Sequence, residues 1–578
     1  MKARVLVWVA GCAALLPVWV RAQSRPANVV IIVADDMGYA DVGFHGSREI
    51  PTPNIDSLAR SGIRFTDAYV TGPFCSPTRA GLLTGKYPQR FGHEFNIGAA
   101  TPEHRDVGLP VSEVTIADRM KAAGYRTALV GKWHLGSAPR FHPQQRGFDE
   151  FFGFLHGSHG YFGSPPGNPI LDGNERVPTV PYLTEAFAER AVDFITRNSA
   201  RPFFLYLAFN APHVPMHASE KYLARFPDIQ NTTRRTYAAM VSAMDDGVGR
   251  VMTALRENGL DRNTLVVFFS DNGGPLGETA WNGSSNEPLR GAKGQTYEGG
   301  VRVPFIVRWT GRLAAGKTDS RPIIQLDVAP TALAAAGVAP RSDWGFDGVN
   351  LLPYLEGSAS GTPHDALFWR TGARMAVRQG DYKLVKDVEG DGREDPEQMT
   401  LAGAQLFNVR ADISERTDLA ARSPERVKAL SDTWQRWNAR LVKPAWPPTQ
   451  GGRGAIAPCT SRPLTNPAAA YVGTWSGSIF APMSDSAMVT FTWVQQPGDT
   501  GSFTFAREAT SSPTKTVTIS SDSLVFDLQR AIRAPNQGVD SGMARVIVSA
   551  CGDALNGYIL LRGRGAGGQR ARIVGRKQ

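Results

Sequence analysis

Residues 28–34 (Asn-Val-Val-Ile-Ile-Val-Ala) form an unbroken apolar, β-branched run. A run without polar alternation predicts a strand buried on both faces, as in a parallel sheet. Residues 127–130, 203–209, 265–269 and 303–308 repeat the pattern. Helical spacing separates them. Residues 55–62 read as a helix with Asn54 as N-cap and Gly62 as stop, followed by helices over 116–123, 185–197 (capped by Thr184) and 327–336. Over 236–258, Tyr237, Met240, Met244, Val248, Val251 and Leu255 recur at gaps of three and four and share one face. Alternating strands and helices predict an α/β fold: a large, mixed, mostly parallel sheet flanked by helices.

Residues 75–85 (Cys-Ser-Pro-Thr-Arg-Ala-Gly-Leu-Leu-Thr-Gly) read as a further helix, with Pro77 in its first turn and Gly85 past its end. That places Cys75 at a helix N-terminus, where free N–H groups favour an anion, with Arg79 one turn along.

From about residue 366 the pattern changes. Short strands at 375–377, 382–385 and 406–409 and a helix at 424–441 predict a smaller α+β part over 366–442. Residues 443–470 are rich in Pro, Gly and Ala and read as a linker. Short alternating strands at 489–494, 502–506, 516–519, 524–528, 545–549 and 558–561 then predict a separate antiparallel β-sandwich or barrel over 471–578, with a solvated basic tail from Arg562. At the other end, Lys2 and Arg4 precede an apolar stretch, and Val20-Arg21-Ala22 offers a cleavage site, so residues 1–22 read as an export leader. Val9-Ala10-Gly11-Cys12 resembles a lipoprotein box, but the apolar segment before Cys12 is short, which favours simple secretion or periplasmic export. No later segment approaches a membrane span. The catalytic α/β part is thus expected over 23–365.

The chain has 578 residues, 42% apolar and 20% charged, an ordinary globular composition long enough for several domains. A net charge of +10 suits an anionic substrate, and no aromatic-basic module points to nucleic acid. In an exported protein Cys459 and Cys551 are candidates for a disulfide worth ~4 kcal/mol, which leaves Cys75 unpaired.

The chemistry gathers at the strand ends. Asp35, Asp36, Lys132, His134, His213, Asp271 and Asn272 each follow a predicted strand, the edge at which open α/β sheets bind ligands. Asp35, Asp36, Asp271 and the Asn272 amide would repel without a cation between them, and oxygen ligands suit Ca²⁺ or Mg²⁺ rather than zinc. Lys132, His134, His213 and Lys293 could neutralise an anionic group and move protons. Lys293 sits in a glycine-rich loop, residues 289–300, that allows close backbone approach.

Taken in order, Asp35-Asp36, the Cys75-x-Pro77-x-Arg79 signature with Leu83-Thr84-Gly85, Gly131-Lys-Trp-His-Leu-Gly136, Ala211-Pro-His-Val-Pro215, Ser270-Asp-Asn-Gly273 and Gly291–Pro304 resemble the motifs of the type I sulfatases over roughly residues 28 to 440. Thr78 stands where the commonest form has Ser. The resemblance implies an alkaline-phosphatase-like fold and a sulfuric ester hydrolase for aryl or carbohydrate sulfates. Cys75 would be oxidised to formylglycine (3-oxoalanine) by a formylglycine-generating or maturase enzyme. Asp35, Asp36, Asp271, Asn272 and modified Cys75 would hold Ca²⁺, with Mg²⁺ as the lesser alternative. Arg79, Lys132 and Lys293 would stabilise charge, His213 would assist the leaving alcohol, and His134 would release sulfate. Two other readings stay open: a phosphonate monoester hydrolase or phosphodiesterase of the same superfamily, and an inactive glycan-binding relative.

Overall fold

The computed structural model describes residues 25–98, 106–165, 167–276, 281–388 and 401–446, and eight strands between 473 and 577. The leader with Cys12, most of the linker, and Cys459 lie outside the described residues.

A ten-stranded mixed sheet carries the main part, in the order Lys317–Asp319, Ile63–Phe65, Phe305–Arg308, Thr264–Ser270, Asn28–Ala34, Phe203–Ala208, Arg126–Lys132, Glu150–Phe154, Leu171–Asp172, Glu175–Arg176. Its five central strands are parallel. Asn28–Ala34 lies between Thr264–Ser270 and Phe203–Ala208, and its side chains divide between two cores. Val29, Ile31 and Val33 face one apolar layer, with residues from helices Cys75–Thr84, Ile116–Ala122 and Val328–Ala335. Val30, Ile32 and Ala34 face the other, with helices Pro53–Arg60, Leu183–Arg197 and Thr232–Glu257. Two buried faces are why the run carries no polar alternation. Truncating any of these isoleucines to Ala costs about 2–5 kcal/mol.

Element ends differ from the sequence reading. The helix expected over 55–62 spans Pro53–Arg60 with Thr52 as N-cap, so Asn54 lies in its first turn. Asp245, on the long helix, caps this end instead, accepting from the backbone N–H of Asn54 (3.1 Å) and Ile55 (2.8 Å). Leu183–Arg197 starts after Tyr182, so Thr184 is inside the helix rather than its cap. The long helix begins at Thr232, four residues early, capped by the Asn231 side chain. Residues 303–308 supply a shorter strand, Phe305–Arg308, antiparallel to Thr264–Ser270.

The smaller part is a four-stranded antiparallel sheet, Leu367–Thr371, Arg374–Gln379, Tyr382–Lys386 and Gln405–Asn408, with helix Pro424–Asn438. Trp369 Nε1–H donates to Val70 O (2.7 Å) and ties this sheet to the main part. The C-terminal strands form a closed eight-stranded antiparallel barrel. Its first strand, Gly473–Phe480, was not expected from sequence. Its last, Ala566–Lys577, replaces the expected solvated tail from Arg562 and pairs with the first, which leaves no free sheet edge. The glycines and arginines of residues 562–577 mask the strand pattern.

Candidate active site

The expected residues meet at the carboxyl end of the central strands. Asp35 and Asp36 follow Asn28–Ala34, Lys132 ends Arg126–Lys132 with His134 two residues on, and Asp271 and Asn272 follow Thr264–Ser270. The Asp271 N–H still reaches Ala34 O (3.0 Å), so the parallel ladder itself brings the carboxylates together. Asp36 (φ 65°) and His134 (φ 57°) adopt left-handed backbone, uncommon for residues with a Cβ and concentrated where surrounding structure enforces it. The Asp36 N–H donates to Asp271 Oδ1 (3.2 Å), and the His134 N–H to Leu155 O (3.1 Å).

Helix Cys75–Thr84 is buried along its whole length and ends at Gly85 (φ 68°). Cys75 is its first residue, as expected. The Thr78 hydroxyl donates to Gly72 O (3.0 Å), a bond that a serine could also make. Arg79 points back to the strand ends. Its Nε and Nη2 donate to Asp271 Oδ2 (3.1 and 2.8 Å), and Nη1 donates to Lys132 O (3.0 Å).

Around Cys75 the charges interlock. Lys132 Nζ lies 2.6 Å from Asp35 Oδ2, and Lys293 Nζ lies 2.8 Å from Asp36 Oδ2 and 3.4 Å from Cys75 Sγ. The sulfur is 3.3 Å from Asp35 Oδ1. Burial, with the Asp271 and Asp35 carboxylates, pushes the Cys75 thiol far above its ordinary range. An unmodified Cys75 is therefore a neutral thiol and a poor nucleophile. Burial raises Asp35, reinforced by Asp271. Burial would raise Asp36 too, but Lys293, His213 and Asn272 overcome it and hold it at about 2.

The two imidazoles present opposite nitrogens. His134 Nε2 lies 3.1 Å from Ile97 O, and a carbonyl can only accept, so Nε2 carries the proton. His134 Nδ1 is buried without a partner among the described residues. In His213, Nδ1 donates to Val214 O (2.7 Å), which leaves Nε2 as the lone-pair nitrogen, 3.5 Å from Asp36 Oδ2. Burial lowers both pKa values, reinforced at His134 by Lys132. At His213 the Asp35 and Asp36 charges oppose the effect, and it stays at about 4. Both rings are neutral near pH 7.

Donor atoms of Asp35, Asp36, Cys75 and His213 lie within 4.8 Å of one another, a spacing that one cation can bridge. Asn272 Nδ2 donates to Asp36 Oδ1 (2.6 Å), while its buried Oδ1 has no partner among the described residues. An orphaned amide oxygen beside clustered carboxylates is the donor set of a hard cation. A cavity of about 470 Å³ bordered by Pro53, Arg225, Phe226 and Asp245 includes none of these groups.

Several contributing residues escaped the sequence reading. The Tyr206 hydroxyl lies 3.5 Å from Arg79 Nη1, and Asn96 Oδ1 accepts from the Ser76 N–H (3.0 Å). Glu298, within the glycine-rich segment, anchors the Lys293 loop through Lys383 (2.8 Å). Only the last had a signal, its place in a loop already singled out.

The family model described as Sulfatase matches residues 27–338. N-acetylgalactosamine-6-sulfatase of Mus musculus is 35% identical over 457 residues, covering 71% of this chain and 85% of the mouse protein. Arylsulfatase A of Homo sapiens is 34% identical over 455 residues, covering 71% and 87%. Among solved structures, Ps i-CgsB in complex with k-i-k-neocarrahexaose aligns with a TM-score of 0.67 at 38% identity, over 73% of this chain and 95% of that one. The phosphonate monoester hydrolase SpPMH of Silicibacter pomeroyi aligns with a TM-score of 0.54 at 20% identity, over 72% and 96%, a likeness of fold alone. With the ten-stranded sheet and the clustered motifs, these matches make the chain a sulfuric ester hydrolase; it belongs to the sulfatase family.

Proposed function

We propose that this enzyme is exported, with residues 1–22 as its leader, and hydrolyses sulfate esters of carbohydrates with Ca²⁺ and a formylglycine derived from Cys75. The observation that carries the reading is the setting of Cys75: the first residue of a buried helix, 3.3 Å from a carboxylate and 3.4 Å from an ammonium, with its thiol held neutral. The site is built around this residue yet disables its thiol, so a modified side chain fits its chemistry better. Asp35, Asp36, Asp271, Asn272 and residue 75 would hold Ca²⁺, which supplies positive charge to the sulfuryl oxygens. The hydrated aldehyde would supply one hydroxyl as the nucleophile and a second whose loss of a proton re-forms the carbonyl as sulfate departs; a serine would offer no such second group.

The chain's own residues divide the work. Arg79 fixes Asp271 and, with Lys132 and Lys293, would surround the anion with positive charge in a buried site. Lys293 already carries a proton to donate towards the leaving oxygen. His213, neutral at rest, gains one more readily once an anionic group docks beside it. His134 Nδ1, neutral and without a partner among the described residues, is the base suited to the second hydroxyl. Carbohydrate esters are favoured because N-acetylgalactosamine-6-sulfatase and the complex of Ps i-CgsB with k-i-k-neocarrahexaose are among the relatives. Peptide mass spectrometry should find residue 75 as formylglycine in active enzyme, and Cys75→Ala should fold but not turn over. A thiol at residue 75 in fully active protein sinks the assignment. Faster turnover of phosphonate or phosphodiester substrates than of matched sulfate esters would sink the sulfate-ester reading of the site.

A further inference from the structure

Residues 93–97 (His-Glu-Phe-Asn-Ile) make a strap between the catalytic groups and the smaller α+β part. On its inner side, Asn96 Oδ1 accepts from the Ser76 N–H (3.0 Å), in the first turn behind Cys75. His93 Nε2 lies 2.5 Å from Ser76 Oγ, and that hydroxyl donates to His134 O (2.7 Å). Ile97 O accepts from His134 Nε2 (3.1 Å). One short segment thus touches both the nucleophile helix and the His134 ring.

On its outer side the strap is clamped. The fully buried Glu94 carboxylate receives Arg370 Nη2 (2.7 Å) and Nε (3.0 Å) and the Gly372 N–H (2.9 Å). Arg370 in turn donates to Asn438 Oδ1 (2.8 Å) and Val442 O (2.6 Å). Trp446 Nε1 donates to Asn96 O (3.3 Å), and its ring stands edge-on to His93, centroids 4.6 Å apart. Phe95, Ile97 and Trp446 form a small core of their own. Buried bidentate Arg–carboxylate pairs fix geometry in two directions at once.

We propose that Glu94, Arg370 and Trp446 are positioning residues for His134: through the strap they hold Ile97 O where it fixes the Nε2–H tautomer, so that Nδ1 is the basic nitrogen. The α+β part, with the first residues of the segment that follows it, would then act in catalysis by setting a tautomer, without touching substrate. The proposal rests on the assignment of His134 to sulfate release.

The test uses the full-length modified enzyme with Trp446→Phe, which keeps an aromatic ring and loses the indole N–H bond, and Glu94→Gln as the stronger perturbation. Slower sulfate release makes release rate-limiting, so kcat and KM should fall together by about 10-fold, the scale of losses when a group that orients a ligand is removed. Fewer folded molecules would lower kcat and leave KM alone. Long-range spectra of ¹⁵N-histidine-labelled protein, with His134 assigned from His134→Ala, should show pure Nε2–H in the parent and a tautomer mixture in Trp446→Phe. An unchanged tautomer, or a kcat loss at constant KM, overturns the proposal. If Glu94→Gln does not fold, Trp446→Phe decides alone. His134→Ala separates the two readings. If its kcat and KM do not fall together, the role given to His134 fails, and the tautomer in Trp446→Phe then decides the strap by itself.

Discussion

Glu415→Gln should stabilise this protein, and the gain should depend on pH. Lys383 is fully buried between two carboxylates, 2.8 Å from Glu298 Oε1 and 3.3 Å from Glu415 Oε1. Glu298 is richly served: its Oε2 accepts from the Tyr69 hydroxyl (2.6 Å) and Arg302 Nη1 (2.9 Å). Although burial opposes it, Lys383, Arg302 and Arg378 hold Glu298 at about 2. Glu415 has the Glu298 N–H on Oε2 (2.7 Å), and its Oε1 has the 3.3 Å ion pair with Lys383. Burial and repulsion from Glu298 outweigh Lys383 and push Glu415 up to about 7, from an ordinary 4.5. A raised acid holds its proton in the folded state over a range where the unfolded chain has released it. Stability is therefore lost as pH rises from about 4.5 to about 7, and the loss is complete above that. At about 1.4 kcal/mol per unit, the span amounts to about 3 kcal/mol. Glutamine keeps an oxygen for the Glu298 N–H and carries no charge to bury. Variant and parent should unfold alike near pH 4, and the variant should gain up to about 3 kcal/mol above pH 8. For a cooperative unit of about 400 residues that is roughly 3–4 °C in Tm. Thermal unfolding of both proteins across that pH range is the assay. A parallel pair of curves, or a variant that loses ground as pH rises, refutes the reasoning, because either means Glu415 is ionised in the folded state throughout.

Three further outcomes are expected. Dialysis against a calcium chelator should lower both turnover and Tm, with recovery on adding Ca²⁺; activity and Tm indifferent to chelation would remove the metal. Asp271→Asn leaves the buried Arg79 guanidinium without its charged partner at 2.8 Å, so urea unfolding should report a loss of up to about 3–5 kcal/mol, and turnover should fall with it. Non-reducing peptide mapping should recover Cys459 joined to Cys551; two free thiols would leave the C-terminal barrel without that cross-link.

The central sheet was legible because its signal is local. Unbroken apolar runs such as residues 28–34 need no partner to be recognised, and the functional residues follow them directly in sequence. Helix starts were less so. The Pro53–Arg60 helix is capped by Asp245, 190 residues from Ile55, and no spacing rule reaches that far. The strap at residues 93–97 escaped for the same reason: Glu94 acquires its meaning only from Arg370, 276 residues away. The barrel's last strand was hidden differently, by a run of arginines and glycines that reads as a tail. Motif chemistry and strand ends are written along the chain; the groups that aim them are written across it.

The charges of the site explain why metal and substrate should bind together. With residue 75 and both imidazoles neutral, Asp35, Asp36 and Asp271 are balanced by Arg79, Lys132 and Lys293, all six fully buried or nearly so. A buried site in balance has little attraction for an anion, since each ammonium is already taken up by a carboxylate. A divalent cation held by the carboxylates would tip that balance by two charges and leave Lys132 and Lys293 freer to face a sulfuryl group. At about 4 Å and an effective dielectric of about 20, each added charge is worth up to about 4 kcal/mol to an anion. Even a third of that is about tenfold in affinity. Inorganic sulfate, tested as a ligand by calorimetry, should therefore bind at least about tenfold more weakly to chelated enzyme than to enzyme supplied with Ca²⁺. Equal affinity would mean that the lysines and Arg79 hold the anion unaided, and that the carboxylates serve only to keep them in place.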